Sequence, residues 1–313
     1  MLDKREAAEQ VGKTVFRRLS DTKRQSVRHN ILQHGIMGSG RGWSLIHEIA
    51  SRGAEVALQL LLDKGADIEA KCDAGTPLIV AAEYGHKNAV KLLLERGANI
   101  EAKSKTGTAL GVAVLKGHER CVQVLLEHGA TTEAKSGETP LIVAAIYGYE
   151  GIVRLLLEKN ANMEATSKLG TPLIEATWGG SLGIVRMLLD KGANIEASSR
   201  EGTALNIAAM NGYEEIVQVL LDRGANIESK NREGKTPLIM ASKNEQANVC
   251  KLLLGRGADV KAKDTYGSTA LSLANQVPAS KGTTLLQMTD LHMTDTVATL
   301  VRELQRRHKQ NSK

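Results

Sequence analysis

Residues 76–100 read TPLIVAAEYGHKNAVKLLLERGANI, and the same phrase returns along the chain. Its copies start at Ser44, Thr76, Thr108, Thr139, Thr171, Thr203, Thr236 and Thr269, with spacings of 32, 32, 31, 32, 32, 33 and 33 residues. A fixed period of about 20–50 residues is the mark of stacked repeats, each too small to bury its own apolar face. Within one copy the spacing predicts helix, turn, helix, then an extended hairpin. Thr76 is placed to cap the first helix, with Pro77 at its first position, where no amide donor is lost. Gly85 ends that helix. Val90, Leu93 and Leu94 fall at i, i+3 and i+4 and predict the buried face of the second. Gly97 sits where a left-handed stop is expected, and Asn160, which tolerates the same geometry, replaces it in another copy.

Thr76-Pro77-Leu78, Thr139-Pro140-Leu141, Thr171-Pro172-Leu173 and Thr236-Pro237-Leu238 recur in register, and Thr108, Thr203 and Thr269 are followed by Ala-Leu. Over residues 43–302 the chain resembles the ankyrin repeat family, whose period is about 33 and whose signature is T-P-L-H-x-A. The resemblance implies an all-α repeat fold: an ankyrin solenoid of helix-turn-helix units with short β-hairpin loops. The chain departs from the signature at its His position, which holds His47 only in the first copy and then Ile79, Gly111, Ile142, Ile174, Asn206, Ile239 and Ser272. The resemblance implies a local hydrogen bond for that His. Several hairpin loops are also short: Gly75 runs directly into Thr76, whereas Gly234-Lys235-Thr236 keeps the intervening residue.

The core positions carry Ala, Val, Ile and Leu, which explains an aromatic content of 3% beside an ordinary 42% of hydrophobic residues. No apolar run approaches the ~20 residues of a membrane span, and the N-terminus lacks the apolar stretch of a secretory signal. Three cysteines argue against a disulfide framework. Cys121 and Cys250 take helix positions that hold Ile, Val or Leu elsewhere and read as small core residues. Cys72 reads as an exposed thiol near a hairpin tip. Together these features predict an intracellular protein, cytoplasmic or nuclear.

The net charge of +6 is unevenly spread: residues 1–42 carry nine basic and four acidic residues, and residues 302–313 carry five and one. The repeats between them carry 27 basic against 30 acidic residues, so the high isoelectric point belongs to the ends. The domain plan that follows is a basic N-terminal helical cap or tail over 1–42, a repeat array over 43–302 with an insertion near 277–294, and a basic tail over 303–313. Val11, Val15 and Leu19, with Val27 and Ile31, predict helices within residues 2–33. These read as a cap on the first repeat or as an amphipathic surface helix.

Candidate chemistry is sparse. Residues 35–42 nearly fit a phosphate-binding loop, but Arg41 and Gly42 stand where the Lys and hydroxyl residue are needed. The eight histidines are scattered, and no His, Cys or carboxylate set has metal-ligand spacing. Neither a catalytic residue, a metal nor a cofactor is expected. Glu69, Glu101, Glu133, Glu164, Glu196 and Glu228 recur at one position before the hairpins, with Lys71, Lys103 and Lys135 two residues on. They read as a solvated row of charges, ~10 Å apart at ordinary helix-packing distances, rather than as paired catalytic acids.

The resemblance implies that the two residues after the Ala-Ala step of each first helix face a concave groove. The first position reads Ser51, Glu83, Leu115, Ile146, Trp178, Met210 and Lys243; the second reads Arg52, Tyr84, Lys116, Tyr147, Gly179, Asn211 and Asn244. Apolar residues thus fill the middle copies and polar ones the flanks, the composition of a protein-binding hot spot. The candidate partner-binding residues are Tyr84, Leu115, Lys116, Ile146, Tyr147, Trp178, Met210 and Asn211. The hairpin tips add Lys103, Lys105, Lys135, Lys168, Arg200, Lys230, Arg232 and Lys263, which favour an acidic or mixed-charge partner. The sequence therefore points to a non-enzymatic protein-interaction scaffold, a signalling adaptor acting as a monomer. The alternative is association of the basic tails with nucleic acid or anionic membrane, the repeats acting as a spacer.

Overall fold

The computed structural model describes residues 43–133 and 138–274. The expected N-terminal helices, the loop at residues 35–42, Lys135, the insertion near 277–294 and the C-terminal helix and tail lie outside the described residues.

Short helices alternate along the chain: α1 (Leu45–Arg52), α2 (Glu55–Asp63), α3 (Pro77–Glu83), α4 (Lys87–Glu95), α5 (Ala109–Leu115), α6 (Glu119–Glu127), α7 (Pro140–Ile146) and α8 (Glu150–Glu158). They are followed by α9 (Pro172–Trp178), α10 (Leu182–Asp190), β1 (Ser198–Ser199), β2 (Gly202–Thr203), α11 (Ala204–Asn211), α12 (Glu214–Asp222), α13 (Pro237–Lys243), α14 (Ala247–Gly255) and α15 (Ala270–Ala274). The chain divides into two compact units, one of Met1–Ala144 with Arg154–Ala161, the other of Ala145–Val153 with Asn162–Lys313.

In the first unit, α1, α3 and α5 pack side by side as an inner layer, and α2, α4 and α6 form an outer one. In the second unit, α9, α11, α13 and α15 form the inner layer and α10, α12 and α14 the outer. The central inner helices are the most buried: Pro77 to Ala82 of α3 are all buried, because α3 is covered by its own outer helix α4 and by α1 and α5 on its two sides. Small side chains at Ala81 and Ala82 let the neighbours approach.

The outer helix α4 buries a wider stripe than the sequence spacing predicts, whereas α2, α10 and α12 bury three residues each. In α4 the buried residues are Ala89, Val90, Leu92 and Leu93, while Leu94, expected on that face, is half-buried. α4 is flanked by α2 and α6 as well as by α3. The stops match their expected geometry: Gly97 has φ +85° and Asn160 takes the same left-handed region at φ +57°.

The hairpins are minimal. Ser198 and Ser199 pair antiparallel with Thr203 and Gly202, and single bridges join Cys72 to Gly75 and Ser104 to Gly107.

The threonine cap is not uniform. Thr108 Oγ1 accepts the Gly111 N–H at 3.2 Å and Thr236 Oγ1 accepts that of Ile239 at 3.4 Å. Thr76 and Thr171, expected to do the same, hold their hydroxyls buried without a hydrogen-bond partner. Pro at the first helical position does not decide the difference: it follows Thr76 and Thr171, and it also follows Thr236.

Candidate functional site

Each inner helix ends with its last side chains emerging from the core. In the first unit, Tyr84 follows α3 and is 45% exposed; its ring meets Trp43 edge-on, with centroids 6.4 Å apart. Leu115 ends α5 at 39% exposure, and the exposed Lys116 lies 3.9 Å from the Glu83 carboxylate. In the second unit, Ile146 is 37% and Tyr147 55% exposed, and the Tyr147 ring stacks on Tyr149 at 5.7 Å with 15° between planes. Trp178 and Met210 are half-buried at the ends of the adjacent helices α9 and α11, so only part of each is available. Gly179 is exposed and an added Cβ would meet nothing closer than 3.6 Å. Asn211 donates its amide to the Ile207 carbonyl at 3.0 Å, and Asn244 does the same to Met240 at 2.8 Å. At these two positions the side chain also closes its own helix.

The recurring glutamates do more than the sequence reading gave them. They stand exposed or half-buried, as a solvated row would, and five of them also accept a backbone N–H from the following repeat. Glu69 accepts from Asn99 at 2.7 Å and Glu101 from Thr131 at 2.8 Å. In the second unit, Glu164 accepts from Asn194, Glu196 from Asn226 (both 2.8 Å) and Glu228 from Asp259 at 2.7 Å. The residue two before each glutamate orients it. Asn99 Oδ1 accepts the Glu101 N–H at 3.0 Å, and Asp67, Asn162, Asn194 and Asn226 repeat that contact. The recurrent Asn-x-Glu spacing is the sequence signal for this ladder. It is a weak one, because residue type alone does not separate an acceptor for a backbone N–H about thirty residues away from a solvated acid.

A second row stitches the outer helix starts to the preceding repeat. His86 Nε2 lies 2.7 Å from the Ser51 carbonyl, His118 Nε2 lies 2.9 Å from that of Glu83, and Tyr213 OH donates to Trp178 O at 3.5 Å. These side chains are structural, as the repetition predicts.

His47, Asn206 and Ser272 all hydrogen-bond at the signature His position, by different chemistry. His47 Nδ1 sits 2.8 Å from Ser44 Oγ, and its Nε2 lies 3.0 Å from Ala70 O and 3.2 Å from Gly75 O. Burial holds the imidazole below its usual pKa, against the two carbonyl contacts and Asp67. Asn206 plays the same part in its own repeat. Its Oδ1 accepts the Thr203 N–H at 3.0 Å and its Nδ2 donates to Ser229 O at 3.1 Å and Lys235 O at 3.3 Å. In the copies with Ile, the side chain fills the site by packing. A Cβ on Gly75 would lie 2.8 Å from Ile79 Cδ1.

Cys121 and Cys250 are buried, and burial pushes the pKa of each thiol up to about 11, which leaves them unreactive at neutral pH. Cys72 is half-buried rather than exposed and its S–H donates to Gly75 O at 3.2 Å. Glu175 and Thr177 replace the Val and Ala of other inner helices and are buried. Ser167 Oγ donates to Glu175 at 2.5 Å, and Thr177 Oγ1 donates to Leu173 O at 2.7 Å. Among the described residues no group of three or more His, Cys, Asp or Glu could hold a metal ion, and no helix is long and apolar enough to cross a membrane.

The hairpin tips carry exposed charge. In the second unit Lys168, Arg200, Lys230, Arg232 and Lys263 are exposed. Lys235 is buried and ion-paired with Glu233. The Lys235 hydrogen bond holds the Glu233 carboxyl below its usual pKa; burial opposes the Lys235 charge, but the contacts with Glu233 outweigh it and raise that pKa.

The family model for ankyrin repeats, in three copies, matches residues 6–104, 100–167, 151–231, 173–264 and 205–287. Among solved structures, the chain is similar to the crystal structure of the ankyrin repeat domain of Bcl-3, a unique member of the IkappaB protein family. Identity is 30% over 69% of this chain and 100% of that chain, with a TM-score of 0.61. No curated protein matches the sequence.

Proposed function

Because this chain belongs to the ankyrin repeat family, whose members generally bind other proteins without catalysis, we propose that it is a non-enzymatic interaction scaffold. It holds a partner protein against the ends of its inner helices, in the groove that such repeats form. In the second unit the contact residues are Ile146, Tyr147, Trp178 and Met210, with Asn211 at the edge. In the first they are Tyr84, Leu115 and Lys116. The protein acts inside the cell, in cytoplasm or nucleus, as a monomer.

One observation carries this reading. The scaffold tolerates Ser51, Glu83 and Lys243 at the position where Leu115 and Ile146 stand, so packing does not require an apolar residue there. Yet large apolar side chains occupy the middle copies, Leu115 and Ile146 exposed and Trp178 and Met210 partly so, a pattern associated with interaction surfaces. The test is capture of partners from cell extract by the intact chain, by Trp178→Ala, and by a double variant at the exposed Ile146 and Tyr147 (both to Ser). All should first give the same helical circular dichroism. Trp178→Ala is expected to weaken a specific partner by more than about 1 kcal/mol; undiminished capture by both variants removes the reading.

The basic tails favour a second reading, binding of nucleic acid or anionic membrane. It requires steep salt dependence and loss of binding on deleting residues 1–34.

A further inference from the structure

Seven repeats keep one internal distance. Thr76 stands 21 residues before Gly97, and the same 21 separates Ser44 from Gly65, Thr108 from Gly129, Thr139 from Asn160, Thr171 from Gly192, Thr203 from Gly224 and Thr236 from Gly257. Thr14 also stands 21 residues before a glycine, Gly35. The stretch Ile31-Leu32-Gln33-His34-Gly35 follows the pattern of Leu125-Leu126-Glu127-His128-Gly129. The match continues at the positions that later repeats bury. Phe16 falls where Leu78 is buried, Leu19 where Ala81 is, Val27 where Ala89 is and Ile31 where Leu93 is. His29 falls where Lys91, Gln123 and Arg154 are exposed. The ankyrin model spans three copies and matches residues 6–104. Two of those copies begin at Ser44 and Thr76, so the third falls on the residues before Ser44.

The first described repeat holds open the contacts that later repeats make backwards. Arg96, Arg223 and Arg256 each pair with the acid that ends the preceding outer helix: Asp63 at 3.0 Å, Asp190 at 2.7 Å and Asp222 at 2.9 Å. Lys64 has their place after α2, is exposed and forms no ion pair among the described residues. Gln33 has the place of the preceding acid. The second residue of an outer helix meets the first residue of the outer helix before it. Asn88 Nδ2 donates to Glu55 Oε2 at 3.1 Å, and a Cβ on Gly183 would run into the Glu150 carboxylate. In α2 that second residue is Val56, apolar and 45% exposed. The tether is short. Ser44 stands nine residues after Gly35, against ten to twelve at the same place in later repeats. Nine residues reach at most about 30 Å, so helices ending at Gly35 stay beside α1 and α2.

We infer that the open side of α1 and α2 is a docking surface for the chain's own residues 14–42, which form a further, degenerate ankyrin unit. Phe16, Leu19, Val27 and Ile31 supply its apolar positions, and Gly35 its left-handed stop. One position departs: Arg28 stands where Leu58, Val90 and Val122 are buried. Terminal repeats are atypical because one side of them meets water, and an arginine can carry its charge out of a core along its aliphatic stem. The docking takes up the apolar stripe that a membrane-surface helix would need. It also continues the concave positions with Asp21 and Thr22, polar as Ser51 and Arg52 are. The docking goes beyond the protein-binding reading and does not depend on it.

The experiment is hydrogen exchange of the full chain in water, read by mass spectrometry, with residues 108–130 as the internal reference for a folded array. Amides of residues 27–34 are expected to exchange at least about tenfold more slowly than their intrinsic rates. Ile31→Asp should remove that protection and lower the protection of residues 55–63 by about tenfold, because it strips α2 of its neighbour. His29→Asp, on the side that later repeats expose, should change neither. Gly35→Ala sets the ankyrin register apart from a simple helical cap. At a left-handed stop it lowers protection over 27–34 by about tenfold, whereas inside a continuous helix Ala in place of Gly raises it. No protection over 27–34 in the intact chain would overturn the inference. So would protection that needs anionic vesicles, which assigns the segment to a membrane surface, or protection that rises with protein concentration, which assigns it to a second copy. Equal effects of Ile31→Asp and His29→Asp, no loss over 55–63 in Ile31→Asp, or unchanged or raised protection in Gly35→Ala would overturn it as well. The inner-helix reading is decided separately by the Trp178 capture experiment, so the two can fail independently.

Discussion

The Glu196 carboxylate accepts the backbone N–H of Asn226 at 2.8 Å, and Asn226 Oδ1 then accepts the N–H of Glu228 at 3.0 Å. Glu228 continues the relay to Asp259. One residue thus receives a bond from the preceding repeat and orients the acceptor that reaches the next. Glu196→Ala is expected to cost about 0.5–1.5 kcal/mol in urea unfolding, the net worth of one such bond. Glu196→Gln should cost less, because its amide oxygen can still accept. Equal losses for the two would mean that the ladder contributes through charge alone.

His47 predicts a pH dependence confined to the first repeats. The Ser44 N–H donates to Nδ1 at 3.2 Å, so the ring is neutral with its proton on Nε2. Burial lowers its pKa, so below about 6.5, the ordinary value, the unfolded chain binds the proton more readily than the folded one. The stabilisation is therefore complete above that pH and lost as pH falls through the lowered folded pKa. Amide protection over residues 44–75, relative to the intrinsic exchange rate at each pH, should fall between about pH 7 and pH 5. His47→Asn, which copies Asn206, should flatten this response. An unchanged profile in that variant would assign the acid sensitivity elsewhere.

Thr76 and Thr203 hold the same place in their repeats and should respond oppositely to loss of the hydroxyl. Thr203 Oγ1 lies between Asn206 Oδ1 and Ser229 Oγ, at 3.0 and 3.1 Å, whereas Thr76 Oγ1 is buried without a partner. Thr203→Val is expected to cost about 1–3 kcal/mol because it leaves buried polar atoms unpaired. Thr76→Val should be neutral or slightly stabilising. A similar cost at both sites, measured by thermal or urea unfolding, would show that Thr76 acts as a cap in solution.

Gly53 is fixed by its neighbour as well as by its backbone. It has φ +62°, and an added Cβ would lie 2.5 Å from His86 Nδ1. Gly97 has φ +85° but open space around it. Gly97→Ala should cost about 1–2 kcal/mol in urea unfolding, from left-handed strain. Gly53→Ala should cost about 1 kcal/mol more, because His86 must leave the Ser51 carbonyl. Matching losses would place the His86 contact outside the energetics of the fold.

The helices were legible because Thr-Pro-Leu fixes a start, Gly or Asn fixes a stop, and the apolar positions between them repeat. The inter-repeat bonds were not. Glu101 is a hydrophilic residue in a loop whether it faces water or the Thr131 N–H, and only the neighbouring repeat decides which. Asn206 looked like a departure from the signature, although an amide can donate and accept as a neutral imidazole does. For the candidate binding positions, the sequence names residues freed from packing, and the structure adds how far each emerges: Tyr147 and Tyr84 well out, Trp178 and Met210 only in part.

The glutamate relay reaches one repeat ahead and no further, which bears on how such a gene can change length. Removing residues 196–227 would join Ile195 to Glu228. Glu164 would keep Asn194 as its donor, and Glu228 would keep Asp259. Every acceptor would still meet an amide, so unequal recombination in units of one repeat leaves a protein with its bonds closed. Loss of half a repeat strands a carboxylate and an amide at the junction. The copy number of the array is therefore free to drift in whole steps, while the spacing within each step is held.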